Sequence, residues 1–313
     1  MPIRPEEYLA GSAPFRILRE RMKSTTPVDA TGVPGSLLAV LIAALHREVE
    51  VPTVVLLPEH DDALRCRDDL QQLLGEESAY LLTGNAEQGM EALRSLASGA
   101  PAIVVATPRV LDRPLPPPAR IRDNLLRLST GAGTSFDETL SALRRLGFER
   151  KEYVEHPGDY AVRGGIVDLF PGIGEHPLRV EFSGDRIESI REFDPLSQRS
   201  IRPLAEGVVV PDLRGLTGEG LPVASLADYL PAGVRLVAVE PDQLVSVMGD
   251  VGAADRLEAF VRGRALLRVS ALPVEGAVAF QGLAQPAFNG AVREVYRGAR
   301  TAWCEVLLGS NWS

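Results

Sequence analysis

Residues 146–200 read LGFERKEYVEHPGDYAVRGGIVDLFPGIGEHPLRVEFSGDRIESIREFDPLSQRS, and short runs of apolar and aromatic residues recur along them. The runs lie at residues 153–154, 160–162, 166–170, 178–182 and 187–193, and the peptides HPGD, RGG, PGIGEHP and SGDR separate them. Apolar runs that alternate with clusters of Gly, Pro and Asp are typical of strands joined by tight turns. The segment therefore predicts an antiparallel meander.

One amphipathic helix is predicted just before this meander, over residues 135–146. Apolar residues recur there at positions 136, 140, 143 and 146, which is helical spacing. Ser135 and Glu138 have the spacing of a capping box, and Gly147 is expected to end the helix. Helix and meander together predict an α+β domain with an antiparallel sheet at residues 120–210.

The flanking sequence has a different pattern. Residues 53–57 (TVVLL), 102–106 (AIVVA) and 234–239 (VRLVAV) are continuous apolar runs, and residues 36–46 (SLLAVLIAALH) are apolar on all sides. Such runs predict parallel strands covered on both faces and a buried helix. The proline-rich RPLPPP (113–118) and the passage PDLRGLTGEGLP (211–222) are expected to be linkers. We therefore predict an α/β domain that begins in residues 1–119, is interrupted by residues 120–210 and continues in residues 211–313.

Composition restricts the possible functions. The 313 residues carry a net charge of −9, which opposes a broad phosphate-binding surface. The cysteines, Cys66 and Cys304, lie far apart without metal-ligand spacing, so no metal or disulfide is predicted and both are expected to be buried thiols. No apolar run reaches the length of about 18 residues that a membrane span needs, and no signal peptide is evident. We expect a cytoplasmic protein that has no membrane contact and no cofactor.

A candidate phosphate loop, TGVPGS at residues 31–36, precedes the predicted buried helix. A helix amino terminus is a favourable anion site. Gly35, however, stands where a phosphate-binding loop carries the Lys that reaches the β and γ phosphates. We therefore interpret Thr31, Gly32, Gly35 and Ser36 as a degenerate loop in a phosphate-loop-NTPase-like domain. The histidines are scattered, so no catalytic residues are predicted.

Residues 146–200 resemble a segment of UvrB and of bacterial transcription-repair coupling factors. The matching elements are G[FY]xR, HPGDYAVRGGIVDLFP, RVEFxGDxIxSIRxFD and QRS. The missing Lys, the lack of an aromatic-rich hairpin between residues 82 and 102, and AVAFQGLAQPAFNG at residues 277–290 favour the coupling factor over UvrB. The resemblance implies that residues 120–210 bind UvrA in transcription-coupled nucleotide-excision repair.

In the family, contacts with RNA polymerase and DNA belong to further domains, including an ATP-dependent DNA translocase. The 313 residues leave no room for that motor, so we expect no enzymatic activity from this chain. Two alternatives remain open. The chain is a nucleotide-binding ATPase with an unusual loop, or it binds damaged DNA in the manner of UvrB.

Strand alternation predicts the binding face. In the run at 178–183, Leu178, Val180 and Phe182 are expected to pack inward, whereas Arg179, Glu181 and Ser183 face outward. The same rule places Tyr160 and Val162 on one side and Ala161 and Arg163 on the other.

The resemblance assigns UvrA binding to Arg163, Arg179 and Glu181, with Phe182 beside them, and Arg179 is expected to be exposed and free to pair with a UvrA carboxylate. Asp168, Gly164 and Gly165 are expected to serve the turn and strand geometry. Ser183 departs from the aromatic residue that coupling factors often have at its position. Without the resemblance, an ordinary solvated sheet face remains the alternative.

Overall fold

The computed structural model describes residues 4–83, 89–131, 133–171, 176–210 and 222–282. Contacts divide the chain into two compact units. The first comprises residues 1–79, 105–108 and 232–313, and the second comprises residues 80–104 and 109–231. The domain boundaries predicted from sequence stay predictions, and most of the second expected linker, at residues 211–221, lies outside the described residues.

The described helices are α1 (Pro5–Ala10), α2 (Ala13–Arg21), α3 (Leu37–Glu48), α4 (His60–Leu74), α5 (Met90–Ser98), α6 (Pro118–Asp123), α7 (Phe136–Arg145), α8 (Pro241–Met248) and α9 (Ala253–Val261). The described strands are β1 (Val28–Thr31), β2 (Thr53–Leu56), β3 (Ala79–Leu82), β4 (Ile103–Ala106), β5 (Leu126–Ser129), β6 (Glu149–Arg150), β7 (Asp159–Arg163), β8 (Ile166–Leu169), β9 (Leu178–Ser183), β10 (Arg186–Phe193), β11 (Ser200–Leu204), β12 (Glu206–Val209), β13 (Arg235–Val239), β14 (Ala265–Ser270) and β15 (Val278–Ala279).

A seven-stranded sheet has the order β15-β1-β14-β13-β2-β4-β3. In the first unit, β1 pairs in parallel with β14 and β15, and β13 pairs in parallel with β14 and β2. The predicted apolar strands are confirmed as β2, β4 and β13, and both β2 and β4 are buried along their whole length. Such burial is what strands covered on both faces require. The α/β prediction is confirmed.

The predicted buried helix is α3, whose residues 41–46 are all buried. Successive residues of an α-helix project about 100° apart, so six consecutive buried residues cover every side of it. Its apolar sequence therefore matches its surroundings, as expected for a core helix.

The second unit contains a six-stranded sheet in the order β11-β10-β9-β8-β7-β6. Its neighbours are antiparallel, except that β6 runs parallel to β7. The predicted meander is thus confirmed for β7 to β10. The strand predicted at residues 153–154 is wrong, because β6 takes residues 149–150 instead. The N–H groups of Glu155 and His156 donate to Oδ2 of Asp159 at 3.3 and 3.0 Å. These backbone groups thus bond to a carboxylate instead of to a neighbouring strand.

Helix α7 packs on one face of this sheet. Its Leu140 and Leu143, with Leu146 just beyond it, belong to the sheet's main apolar cluster, as the helical spacing predicted. Gly147 follows with φ of 86°, a left-handed conformation suited to a helix stop. The predicted capping box is wrong, because the side chain of N-cap Ser135 makes no capping hydrogen bond. The hydroxyl of Thr139 instead donates to the Ser135 carbonyl at 3.0 Å.

Two features of the second unit were not predicted from sequence. Strands β5 and β12 form a separate two-stranded antiparallel sheet. The proline-rich segment at 113–118, expected to be a linker, is exposed at Arg113 and Pro114 and buried at Leu115 and Pro116. Leu115 is buried, its N–H and carbonyl form hydrogen bonds of 2.8 and 2.7 Å with Ala224, and the Tyr229 hydroxyl donates to the Pro116 carbonyl.

Candidate partner-binding surface

The six-stranded sheet has two chemically different faces. On the core face, Tyr160, Val167, Val180 and Ile190 are buried in a cluster with α7. The opposite face, called here the outer face, carries the side chains Ala161, Arg163, Asp168, Arg179, Glu181, Ser183, Ser189 and Arg191. The alternation predicted for β7 and β9 is confirmed by this division.

Arg179 lies at the centre of the outer face and is held on several sides. Its Nε donates to Oδ1 of Asp168 at 2.7 Å and its Nη2 donates to Oδ2 at 2.8 Å, which is a bidentate ion pair. Its guanidinium carbon lies 4.5 Å from the centroid of the buried Phe193 ring. Nη1 donates to the Gln198 carbonyl at 3.3 Å and Nη2 donates to Gln198 Oε1 at 3.0 Å.

The expectation that Arg179 is exposed and free is therefore wrong. Its side chain faces the outer side as predicted but is only 18% exposed. Asp168, expected only to serve strand geometry, is the buried partner that fixes it, because the two residues are direct neighbours across β8 and β9. The hydrogen bond to Asp168 is the first cause of a raised pKa of the Arg179 guanidinium.

Glu181 lies one step along the same face of β9. It accepts a hydrogen bond from the Ser189 hydroxyl at 2.8 Å and pairs with the Arg191 guanidinium. The Ser189 bond, followed by the charge of Arg191, lowers the pKa of the Glu181 carboxyl. Glu181 is thus ionised and oriented, and partly exposed at the surface.

Arg163 is the most accessible of the predicted contact residues. It ends β7 with an exposed side chain whose guanidinium carbon lies 4.6 Å from the centroid of the Tyr153 ring. Its Nη2 donates to the Glu152 carbonyl at 3.1 Å. Stacking on an aromatic ring orients a guanidinium and leaves its N–H groups at the ring edge for other acceptors.

A groove of about 490 Å³ lies beside this stacked pair. It is lined by Glu149, Lys151, Glu152, Tyr153, Glu155, His156 and Asp159. Carboxylates dominate this lining, so the groove repels phosphate groups and favours cationic ones.

Phe182 belongs to the core rather than to the outer face. It is half-buried against the main cluster, and its ring meets that of Phe136 edge-on, with centroids 5.2 Å apart. Ser183, the next residue, is exposed. Gly164 has φ of 60°, and a Cβ on Gly165 would lie 2.8 Å from the Phe182 carbonyl oxygen, so both glycines are needed for the turn as expected.

The four residues of the candidate phosphate loop come together in the first unit. Thr31 ends β1, Gly32 and Gly35 have positive φ, and Ser36 is the N-cap of α3 without a side-chain cap bond. The backbone of Phe280 and Gly282 packs directly on them. Phe280 N–H donates to the Thr31 carbonyl at 2.8 Å and Gly282 N–H to the Gly32 carbonyl at 3.0 Å.

Other site types find little support in the part of the chain that the structure describes. It holds no group of three or more His, Cys, Asp or Glu side chains arranged for a metal ion. None of its described helices is long and apolar enough to span a membrane. Cys66 is buried as expected, and burial raises the pKa of its thiol to about 12, whereas Cys304 lies outside the described residues.

Comparison with known protein families finds a match within the second unit. Residues 126–213 match the UvrB interaction domain family, and these residues include β5, the outer face and β12. The transcription-repair-coupling factor of Bacillus subtilis (strain 168) is 30% identical over 187 residues, which are 55% of this chain and 16% of the relative.

Two further relatives have the same description. That of Myxococcus xanthus is 29% identical over 223 residues, which are 64% of this chain and 18% of the relative. That of Staphylococcus aureus (strain MSSA476) is 32% identical over 131 residues, which are 42% of this chain and 11% of the relative. The matched part of the chain thus spans less than a fifth of each of these relatives.

Proposed function

We propose that this chain, which resembles the amino-terminal UvrB-like module of transcription-repair coupling factors, binds UvrA through its outer face and recruits it to stalled RNA polymerase. The UvrB interaction domain match covers the whole six-stranded sheet, and we therefore propose that the partner surface lies on this sheet. We propose that contacts with RNA polymerase and DNA belong to parts of the longer relatives that lie outside the matched region.

The observation that carries the proposal is the preorganised set of charges on the outer face. Glu181 is ionised and oriented by Ser189 and Arg191, and Arg163 is oriented by Tyr153 while remaining exposed. Charges held in place before binding lose little conformational entropy when a partner arrives. A partner with complementary acidic and basic groups is therefore recognised by charge pattern, which favours specificity and fast association.

The loop at residues 31–36 is proposed to be inactive toward nucleotides. Gly35 supplies no cation for a triphosphate, and the backbone of Phe280 and Gly282 packs on the loop. The alternative of direct DNA binding is disfavoured by the net charge of −9 and by the acidic lining of the described groove. We propose that the chain acts by protein contact and has no catalytic activity.

Titration of UvrA with the whole chain tests the proposal. Wild type is compared with Arg163→Glu, and Arg65→Glu on α4 in the first unit is the matched control, because its side chain is also exposed. We expect Arg163→Glu to weaken binding at least about tenfold, since it places like charges together at a contact. We expect Arg65→Glu to bind like wild type. Absent wild-type binding, or equal affinity of all three proteins, contradicts the proposal.

A further inference from the structure

The turn between β10 and β11 is a fixed feature beside the outer face. Oδ1 of Asp194 accepts the Ser197 N–H at 2.6 Å, and the Asp194 carbonyl accepts the Gln198 N–H at 2.8 Å. The Asp194 N–H donates to the Arg199 carbonyl at 2.9 Å, and Gln198 Nε2 donates to the Pro195 carbonyl at 2.8 Å. Hydrogen bonds between the two ends of the turn, and among its own residues, thus fix its conformation.

Leu196 stands at the tip of this turn and is 94% exposed. A single exposed leucine on a protein surface is ordinary. This leucine differs because its neighbours on both sides are fixed by hydrogen bonds. Gln198 has φ of 57°, which is uncommon for a residue other than glycine and is maintained here by the bonds around it.

Arg179 connects this turn to the outer face. It makes four hydrogen bonds, two to Asp168 and two to Gln198. A guanidinium has five N–H donors, and the Phe193 ring covers one of its faces. Arg179 therefore has little capacity left to pair with a carboxylate of another protein, whereas it holds the turn that presents Leu196.

We infer that Leu196 is an apolar contact that inserts into a hydrophobic pocket of UvrA, and that Arg179 is a positioning residue for this contact. The inference rests on the proposed function, because it assigns a further residue to the same surface. The partner is UvrA because the turn is joined to the outer face by the hydrogen bonds between Gln198 and Arg179. A leucine on a preformed turn is buried at low entropic cost when a partner binds, because the turn is already ordered.

Leu196→Asp in the whole chain tests the contact, with Leu272→Asp in the first unit as matched control, since Leu272 is also 75% exposed. We expect Leu196→Asp to weaken UvrA binding at least about tenfold, because a charge placed in an apolar pocket has to lose its hydration, and to leave the thermal melt unchanged. Leu272→Asp should bind like wild type. If wild type binds UvrA and Leu196→Asp binds equally well, the inference fails while the proposed function stands. If wild type does not bind, the proposed function itself fails.

Arg179→Lys and a double variant test the positioning role. Lysine keeps the charge but cannot hold Asp168 and Gln198 with a planar fork, so we expect it to weaken binding nearly as much as Arg179→Ala. Adding Leu196→Ala to Arg179→Ala should then cost little more, because the leucine is already misplaced. Binding preserved by Arg179→Lys, or losses that add fully in the double variant, would instead make Arg179 a direct contact.

Discussion

The substitution Arg179→Ala removes the cationic partner of Asp168, whose carboxylate is buried. Asp168 is buried and receives two hydrogen bonds from Arg179. In the variant this buried carboxylate is left without its cationic partner. The variant also loses the guanidinium that lies over the Phe193 ring and the two bonds to Gln198. We therefore expect the second unit to be destabilised.

The size of the loss follows from burial. Removing one partner of a fully buried ion pair costs about 3 to 5 kcal/mol. Arg179 is 18% exposed, so water partly replaces it, and we expect a loss of about 2 to 3 kcal/mol. Arg163→Ala is the matched control. It removes an exposed stacking contact with Tyr153, whose usual value is about 0.5 to 1 kcal/mol.

Hydrogen exchange followed by mass spectrometry measures this loss where it occurs, in peptides that cover β8 to β10. Opening free energies from those peptides should fall by about 2 to 3 kcal/mol in Arg179→Ala and by at most about 1 kcal/mol in Arg163→Ala. Adding Asp168→Ala to Arg179→Ala should recover part of the loss, because the stranded carboxylate is gone. Equal and small losses in both single variants, with no recovery in the double variant, would refute the reasoning.

Three further predictions concern other parts of the chain. Ser183→Phe should raise the affinity for UvrA about tenfold, because an exposed position on the outer face gains an aromatic side chain. An unchanged dissociation constant in the UvrA titration would contradict this prediction. Phosphate release in the presence of ATP and Mg²⁺ should stay at background because Gly35 supplies no cation to the triphosphate, and release that Ser36→Ala abolishes would contradict this. Burial, followed by the charge of Arg235, lowers the pKa of His46. As the pH falls below about 6.5, His46 therefore binds a proton more readily in the unfolded chain than in the folded chain, which lowers the stability of the folded chain. The urea midpoint should therefore drop between pH 7 and pH 5.5, and His46→Leu should reduce that drop, whereas an equal drop in both proteins would show that His46 does not cause it.

The sequence was sufficient to predict which residues share a face. Alternation alone separated Val180 from Arg179 and Glu181 on β9, because strand geometry has a period of two. The apolar run of α3 likewise required burial on all sides. These features depend on local periodicity, which a single sequence contains.

The pairing and register of the strands could not be predicted from the single sequence. The position of Asp168 opposite Arg179 depends on the register of β8 and β9, which the hydrophobic pattern restricts but a single sequence does not settle. The pairing of β5 with β12 joins segments far apart in the chain, and short weakly apolar runs give little sign of it. The prediction that Arg179 is exposed and unpaired was wrong for this reason, because the exposure of a cation depends on the residue that lies opposite it on the neighbouring strand.

UvrA titration with an isolated fragment of residues 120–210 tests the central claim most directly. The main apolar cluster of the six-stranded sheet, and a smaller one formed by Val154, Ala161, Phe170 and Phe193, lie within residues 128–209, so the fragment contains a core of its own. Folding is checked by circular dichroism before the titration. We predict that the folded fragment binds UvrA with the affinity of the whole chain, within about threefold, a difference of less than 1 kcal/mol. A fragment that folds but does not bind UvrA, while the whole chain binds, would contradict the assignment of UvrA binding to this domain.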